Sequence, residues 1–293
     1  MNTASATRLG DPETCGENLR QNLKRIFEIS AEHCVDCADY HVGKAAMRLT
    51  GRTAWEVGAR PYLIETLGKL LDEAARREGG PIDVVVVACA DTAVLSACTH
   101  VAWLAGGPTL TRTRFTVLDR CRSPLELCKV FGASHGLDLR TEVVELARTT
   151  ATFPADIIVV HNLLAFVRER DHLPILRNLA GWLKPQGRLL MWLPLFPGDD
   201  HQKARLREQQ RNAGIRAQIE AGEIEIEEPL SAFLARLDRG IDGERPGERA
   251  YPHTASVERL FGAAGLQVSA LDEIAPFGGT LMKLRIVAGN RGG

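Results

Sequence analysis

The sequence predicts an α/β protein built on a doubly wound, mostly parallel seven-stranded sheet. A helical subdomain precedes the sheet, and a helical insertion follows the fifth strand. Three observations predict this. From residue 81 onward, strand-like apolar runs alternate with amphipathic, helix-like runs, the rhythm of right-handed βαβ units. The first run, "IDVVVVACA" (82–90), is continuous and β-branched, as a parallel strand covered on both faces requires. Gly and Pro punctuate the runs, as in Gly79-Gly80-Pro81 and Gly106-Gly107-Pro108.

Taken in order, residues 1–16 read as a disordered leader without the apolar stretch of a signal peptide. Leu23, Phe27, Ser30, Cys34, Cys37 and His41 recur at spacings of four and three, which predicts one face of one helix. A second helix is expected over about 60–77. After the first strand come a helix, "TAVLSACTHVAWLA", and a second strand, "RFTVLD". "SPLELCKVFGASHG" predicts a helix with Ser123 as N-cap, Pro124 at its first position and Gly136 as its stop. "LRTEVVELA" and "PADIIVV" supply strands three and four, and "DHLPILRNLAGWLK" a helix before strand five, "GRLLMWLPL". Residues 196–250 break the rhythm with charged helices and a Gly/Pro-rich loop. The rhythm then returns in "TASVERLFGAAGLQVSALDEI" and "LMKLRIVAG". The expected division is a helical lid over 1–80 and a Rossmann-like domain over 81–293, with the insertion at 196–250.

The chain has 293 residues, 45% of them hydrophobic, enough for a sizeable core. A net charge of −1 without a basic block, and few aromatics, speak against a nucleic-acid groove. No apolar run approaches the roughly 20 residues that span a bilayer. A cytoplasmic protein is the resulting expectation. The seven cysteines do not suggest a disulfide framework; Cys89, Cys98 and Cys128 sit in apolar elements as small core residues.

In a doubly wound sheet, ligands sit beyond the carboxyl ends of the strands. That rule selects Ala88, Cys89, Ala90, Asp91 and Thr92; then Asp119, Arg120 and Cys121; then Glu145, Leu146 and Ala147; and finally His161, Asn162 and Leu163. Asp119 is the clearest of them. A carboxylate ending strand two is placed to accept hydrogen bonds from a ribose diol, each contributing about 1.5–3 kcal/mol. The plainer alternative is a helix cap, a role already filled by Ser123.

The order of these pieces resembles the class I S-adenosylmethionine-dependent methyltransferases. The resemblance rests on "FTVLD", on "PADIIVVHNLLAFV", on "LPILRNLAGWLKPQGRLLMWLP" with Gln186 in place of a turn glycine, and on "SVERLFGAAGLQVSALDEI". It implies S-adenosylmethionine (SAM) as cofactor and a small-molecule acceptor, with a homodimer left open. It places the methionine part of SAM against 88–92, the adenine against 145–147, and the transferring methyl near His161, a candidate base. It implies that N-terminal helices cover the acceptor, so Tyr40 and His41 become catalytic candidates and Arg48, Tyr251 and His253 candidate substrate contacts. The departure is the first loop, "ACADTAVL", which lacks the family's glycines; positive φ is costly there without them. That departure keeps two other readings open: transfer or cyclisation of the aminocarboxypropyl arm with release of methylthioadenosine, and a non-catalytic nucleotide-binding protein.

"HCVDCADYH" carries Cys34, Cys37 and His41 at metal-binding spacing. Structural zinc sites need four ligands, and no second C-x-x-C completes one. The expectation is therefore a buried stripe without a metal.

Overall fold

The computed structural model describes residues 12–34, 37, 39–50, 60–77, 80–195, 201–242, 251, 253–274 and 282–290. The part of the expected leader before residue 12, and the Gly/Pro-rich loop at 243–250, lie outside them. Residues 12–16, read as leader, belong to helix α1 (Pro12–His33). The chain then runs α2 (Tyr40–Leu49), α3 (Arg60–Ala75), β1 (Ile82–Val87), α4 (Ala93–Leu104), a short α5 (Gly107–Arg112), β2 (Thr113–Asp119), α6 (Arg122–Ser134) and β3 (Asp138–Val143). After these come β4 (Ala155–His161), α7 (Glu169–Trp182), β5 (Leu183–Leu195), α8 (His201–Glu220), α9 (Leu230–Asp242), α10 (Thr254–Ala263), β6 (Leu266–Ile274) and β7 (Met282–Asn290).

The seven strands form one sheet in the order β3-β2-β1-β4-β5-β7-β6. β1 pairs in parallel with both β2 and β4, while β7 runs antiparallel to β5 and β6. The strand order reverses between β1 and β4, so the crevice beyond their carboxyl ends is the place for a ligand. The β-branched run of β1 explains its central position. Val84 and Val86 point into one core, with α3, α4 and α6. Val85 and Val87 point into the other, with α7 and α10.

A third core joins α1, α2, α8 and α9 through Leu23, Ile26, Phe27, Val42, Ala46, Ile219, Phe233 and Leu237. Leu127 of α6 attaches it to the sheet domain. This helical lobe is therefore assembled from the N-terminal helices and the insertion together. α3, expected as part of the lid, instead packs Leu63, Leu67 and Leu71 onto the sheet.

Two local expectations change. The stripe from Leu23 to His41 is not one helix: α1 ends at His33, the chain turns with Asp39 in the left-handed region (φ 58°), and α2 starts at Tyr40. Periodicity survives the break because both helices bury the same side. Ser123 does not cap α6; Cys121 occupies the cap position and Ser123 lies inside the first turn.

Candidate functional site

Two residues at the switch point hold left-handed backbone: Ala88 (φ 57°), which follows β1, and Asn162 (φ 58°), which follows β4. For alanine this conformation costs roughly 1–2 kcal/mol, whereas asparagine adopts it more readily. Such strain persists where the surroundings enforce it, and it clusters at functional sites. The glycine-poor loop thus adopts the backbone that glycine would favour.

The rest of that loop is tightly bound. Asp91 Oδ1 accepts the Ala93 N–H (2.7 Å), closing the start of α4, and Asp91 Oδ2 accepts Arg48 Nε (2.5 Å). Both side chains of this ion pair are buried. Thr92 is fully buried. Its Oγ1, like Asn162 Oδ1, is buried without a hydrogen-bond partner among the described residues. Buried polar atoms are normally satisfied, so each marks a place where a partner belongs. Cys89 is a core residue behind the loop.

Asp119 ends β2 and is 8% exposed. Its Oδ1 accepts the Cys121 N–H (2.8 Å), so the carboxylate also shapes the entry to α6. Burial pushes its pKa up to about 6, against the lowering effect of the nearby His41 charge. Arg120 is exposed. Glu145 is exposed at a turn. Leu146 faces the core, its carbonyl accepting Asn178 Nδ2 (2.7 Å), and Ala147 packs against the same core. Leu163 is core as well.

Helix α2 crosses these loops as a roof. His41 Nδ1 meets Ala90 O at 2.8 Å, and Arg48 holds Asp91, both after β1. Tyr40 stands edge-on to Phe166 (centroids 5.3 Å apart), after β4, and Lys44 Nζ lies over both rings at 5.3 and 5.7 Å. Tyr40, Lys44 and Arg48, spaced four apart, line the side facing the crevice. Arg48 therefore engages the first loop itself. His161 Nε2 lies 3.4 Å from Asn162 Nδ2, and its ring stands beside Trp192 (centroids 6.1 Å apart). Tyr251 is hydrogen-bonded to His172, and burial pushes its hydroxyl pKa up. His253 is exposed at the start of α10.

The stripe expected to carry no metal looks different in three dimensions. Cys34, Cys37 and His41 meet Cys121, and the four ligand atoms lie within 4.8 Å of one another. The fourth donor, Cys121, is a residue that the sequence reading assigned to the cofactor loop. Hydrogen bonds from Cys34 and then Cys37 hold the Cys121 thiol far below its ordinary range, whereas Cys37 is raised, chiefly by its bond to Cys121.

Comparison with solved structures shows the same fold. The 1,6-didemethyltoxoflavin-N1-methyltransferase of Burkholderia thailandensis, solved with 1,6-didemethyltoxoflavin and S-adenosylhomocysteine, aligns with a TM-score of 0.51 at 13% identity. The alignment covers 86% of this chain and 88% of that one. The N-methyltransferase NodS from Bradyrhizobium japonicum WM9, in complex with S-adenosylhomocysteine, aligns at 0.48 and 12% identity over 86% and 99% of the two chains. The mitomycin 7-O-methyltransferase MmcR aligns at 0.44 and 18% identity over 77% of this chain and 53% of its own, so this chain spans about half its length. No family model and no curated protein matches the sequence. The chain has the Rossmann-like fold of the class I SAM-dependent methyltransferases. None of the described helices is long and apolar enough to cross a membrane.

Proposed function

We propose that the protein is a SAM-dependent methyltransferase acting on a small-molecule acceptor. The observation that carries the reading is the construction of the switch point. A strand-ending carboxylate, two left-handed non-glycine residues and two orphaned buried polar atoms gather where this strand order places a ligand. These groups fit the cofactor's chemistry. Asp119 is suited to accept from the ribose diol, and Asn162 Oδ1 and Thr92 Oγ1 offer acceptors for an ammonium. The backbone at Ala88 allows close approach of the methionyl part.

When bound, SAM supplies an electrophilic methyl on a sulfonium. The chain's own work is alignment and exclusion of water. Tyr40, Lys44 and Phe166 form the roof edge nearest the end of β4, where an acceptor would enter. His161, at the end of β4, is the base available to an acceptor that must lose a proton. Tyr251, held by His172, and His253, at the start of α10, would contribute to acceptor shape only.

Titration of S-adenosylhomocysteine into purified protein by calorimetry tests the reading, with Asp119→Ala beside it. Losing two charge-assisted hydrogen bonds should weaken binding by about 2–4 kcal/mol. Stability should fall as well, because the same carboxylate accepts the Cys121 N–H. Equal affinities in wild type and variant would remove the ribose assignment. Mass spectrometry of the adenosyl product then separates methyl transfer (S-adenosylhomocysteine) from aminocarboxypropyl chemistry (methylthioadenosine).

A further inference from the structure

We propose that Cys34, Cys37, His41 and Cys121 bind one zinc ion in a closed tetrahedral Cys3His site that fastens the helical roof to the loop after β2. The inference stands on the cluster alone and does not depend on the methyltransferase reading.

Four observations carry it. The first is distance. Cys34 Sγ lies 4.0 Å and Cys37 Sγ 3.8 Å from Cys121 Sγ. Sulfurs bound to one tetrahedral zinc at about 2.3 Å are separated by roughly 3.8 Å. Both gaps are far beyond a disulfide bond of about 2.05 Å. Both also centre on one sulfur, an arrangement that a single disulfide does not require.

The second is the donor set. Three thiols and one imidazole, none of them exposed, match zinc's preference for sulfur and nitrogen. Small apolar packing accounts for a cysteine singly, as for Cys98. It gives no reason for three thiols and a histidine to point at one another.

The third is orientation. His41 Nδ1 meets Ala90 O at 2.8 Å, which calls for a proton on Nδ1 and leaves the Nε2 lone pair for a ligand. Metal-bound histidines generally hold their other nitrogen in this way. Ser123 Oγ, 3.1 Å from Cys34 Sγ, can donate to a thiolate in the same manner.

The fourth is the anchoring of Asp39, which lies between Cys37 and His41 in the chain. Asp39, in left-handed backbone, accepts Arg236 Nε at 3.1 Å and Arg239 Nε at 3.0 Å. A Cβ on Gly240 would come within 2.2 Å of Asp39 O, so only glycine lets α9 pack this close. The insertion thus holds Asp39, two positions before His41, in place. With four protein ligands and no open position, the site is structural.

The test uses the full-length protein purified from zinc-supplemented cultures. Elemental analysis should find about one zinc per chain. Chelator should lower the melting temperature of the wild type, and added zinc should restore it. Cys37→Ser should lack stoichiometric zinc and melt lower, and should respond to neither reagent. Because a folding defect in that variant would mask the result, the wild type gives a second readout. Cobalt added to the chelated protein should produce the strong visible bands of a tetrahedral thiolate complex. Wild type without zinc whose chelated form takes up no cobalt would overturn the proposal. So would stoichiometric iron in place of zinc, or a mass lower by two hydrogens, which would reveal a disulfide.

Discussion

Ala88 shows how a single residue can carry the cost of a site. The family resemblance called for glycine after β1, and alanine appeared to argue against the required backbone. The structure holds alanine at φ 57° all the same. Relief of left-handed strain is worth about 1–2 kcal/mol. The extra freedom that glycine gives the unfolded chain returns about 0.4–1 kcal/mol of that. Ala88→Gly should therefore stabilise the protein by about 0.5–1 kcal/mol, read as a shift in urea midpoint at unchanged slope. A loss of stability would mean the alanine methyl packs in a way the strain argument ignores. His172 gives a pH effect. Burial lowers its pKa, so the folded protein resists its protonation. The unfolded chain then binds more protons between that lowered value and the ordinary value of about 6.5. Stability should be full above about 6.5 and decline as pH falls through the window; His172→Gln should flatten this part of the stability–pH curve measured by denaturation. The position of Asp119 at the end of β2 was legible in the sequence because a lone acid ended an apolar strand. The metal-binding role proposed for Cys121 was not legible, because its partners lie 80 or more positions away and only the packing of α1 on α6 brings them together.

Among the elements, α2 was legible for what it faces and illegible for where it begins. Tyr40, Lys44 and Arg48, spaced four apart, form one line on α2, and that line meets the loops after β1 and β4. The break before it was hidden, since the apolar repeat runs through residues 34–41 without interruption. Its cause is non-local. Asp39 is bound by Arg236 and Arg239, whose partner role the charged insertion gave no means to foresee. Arg236 is itself buried and also reaches Glu228 (2.6 Å) and the Phe27 carbonyl (2.9 Å). Asp39→Ala leaves that guanidinium with part of its compensation. Breaking a buried pair costs about 3–5 kcal/mol, and the remaining partners put the expected loss near 3 kcal/mol. Circular dichroism on thermal melting checks it. A change below about 0.5 kcal/mol, the range of ordinary surface substitutions, would show that the turn is held by something else.

At the scale of the whole molecule, the alternation of strands and helices gave the sheet away, because each βα unit is written in adjacent residues. The roof lobe escaped that kind of reading. Its core joins Leu23, Ile26 and Phe27 to Ile219, Phe233 and Leu237, almost two hundred positions apart. This has a consequence in time. A ribosome adds roughly 5–20 residues per second, so α1 and α2 emerge on the order of ten seconds before α9 exists. The whole central sheet up to β5 is synthesised in that interval. The earliest helices must wait, apolar side uncovered, for a partner the ribosome has not yet made, and the roof closes only over a crevice whose floor is already built.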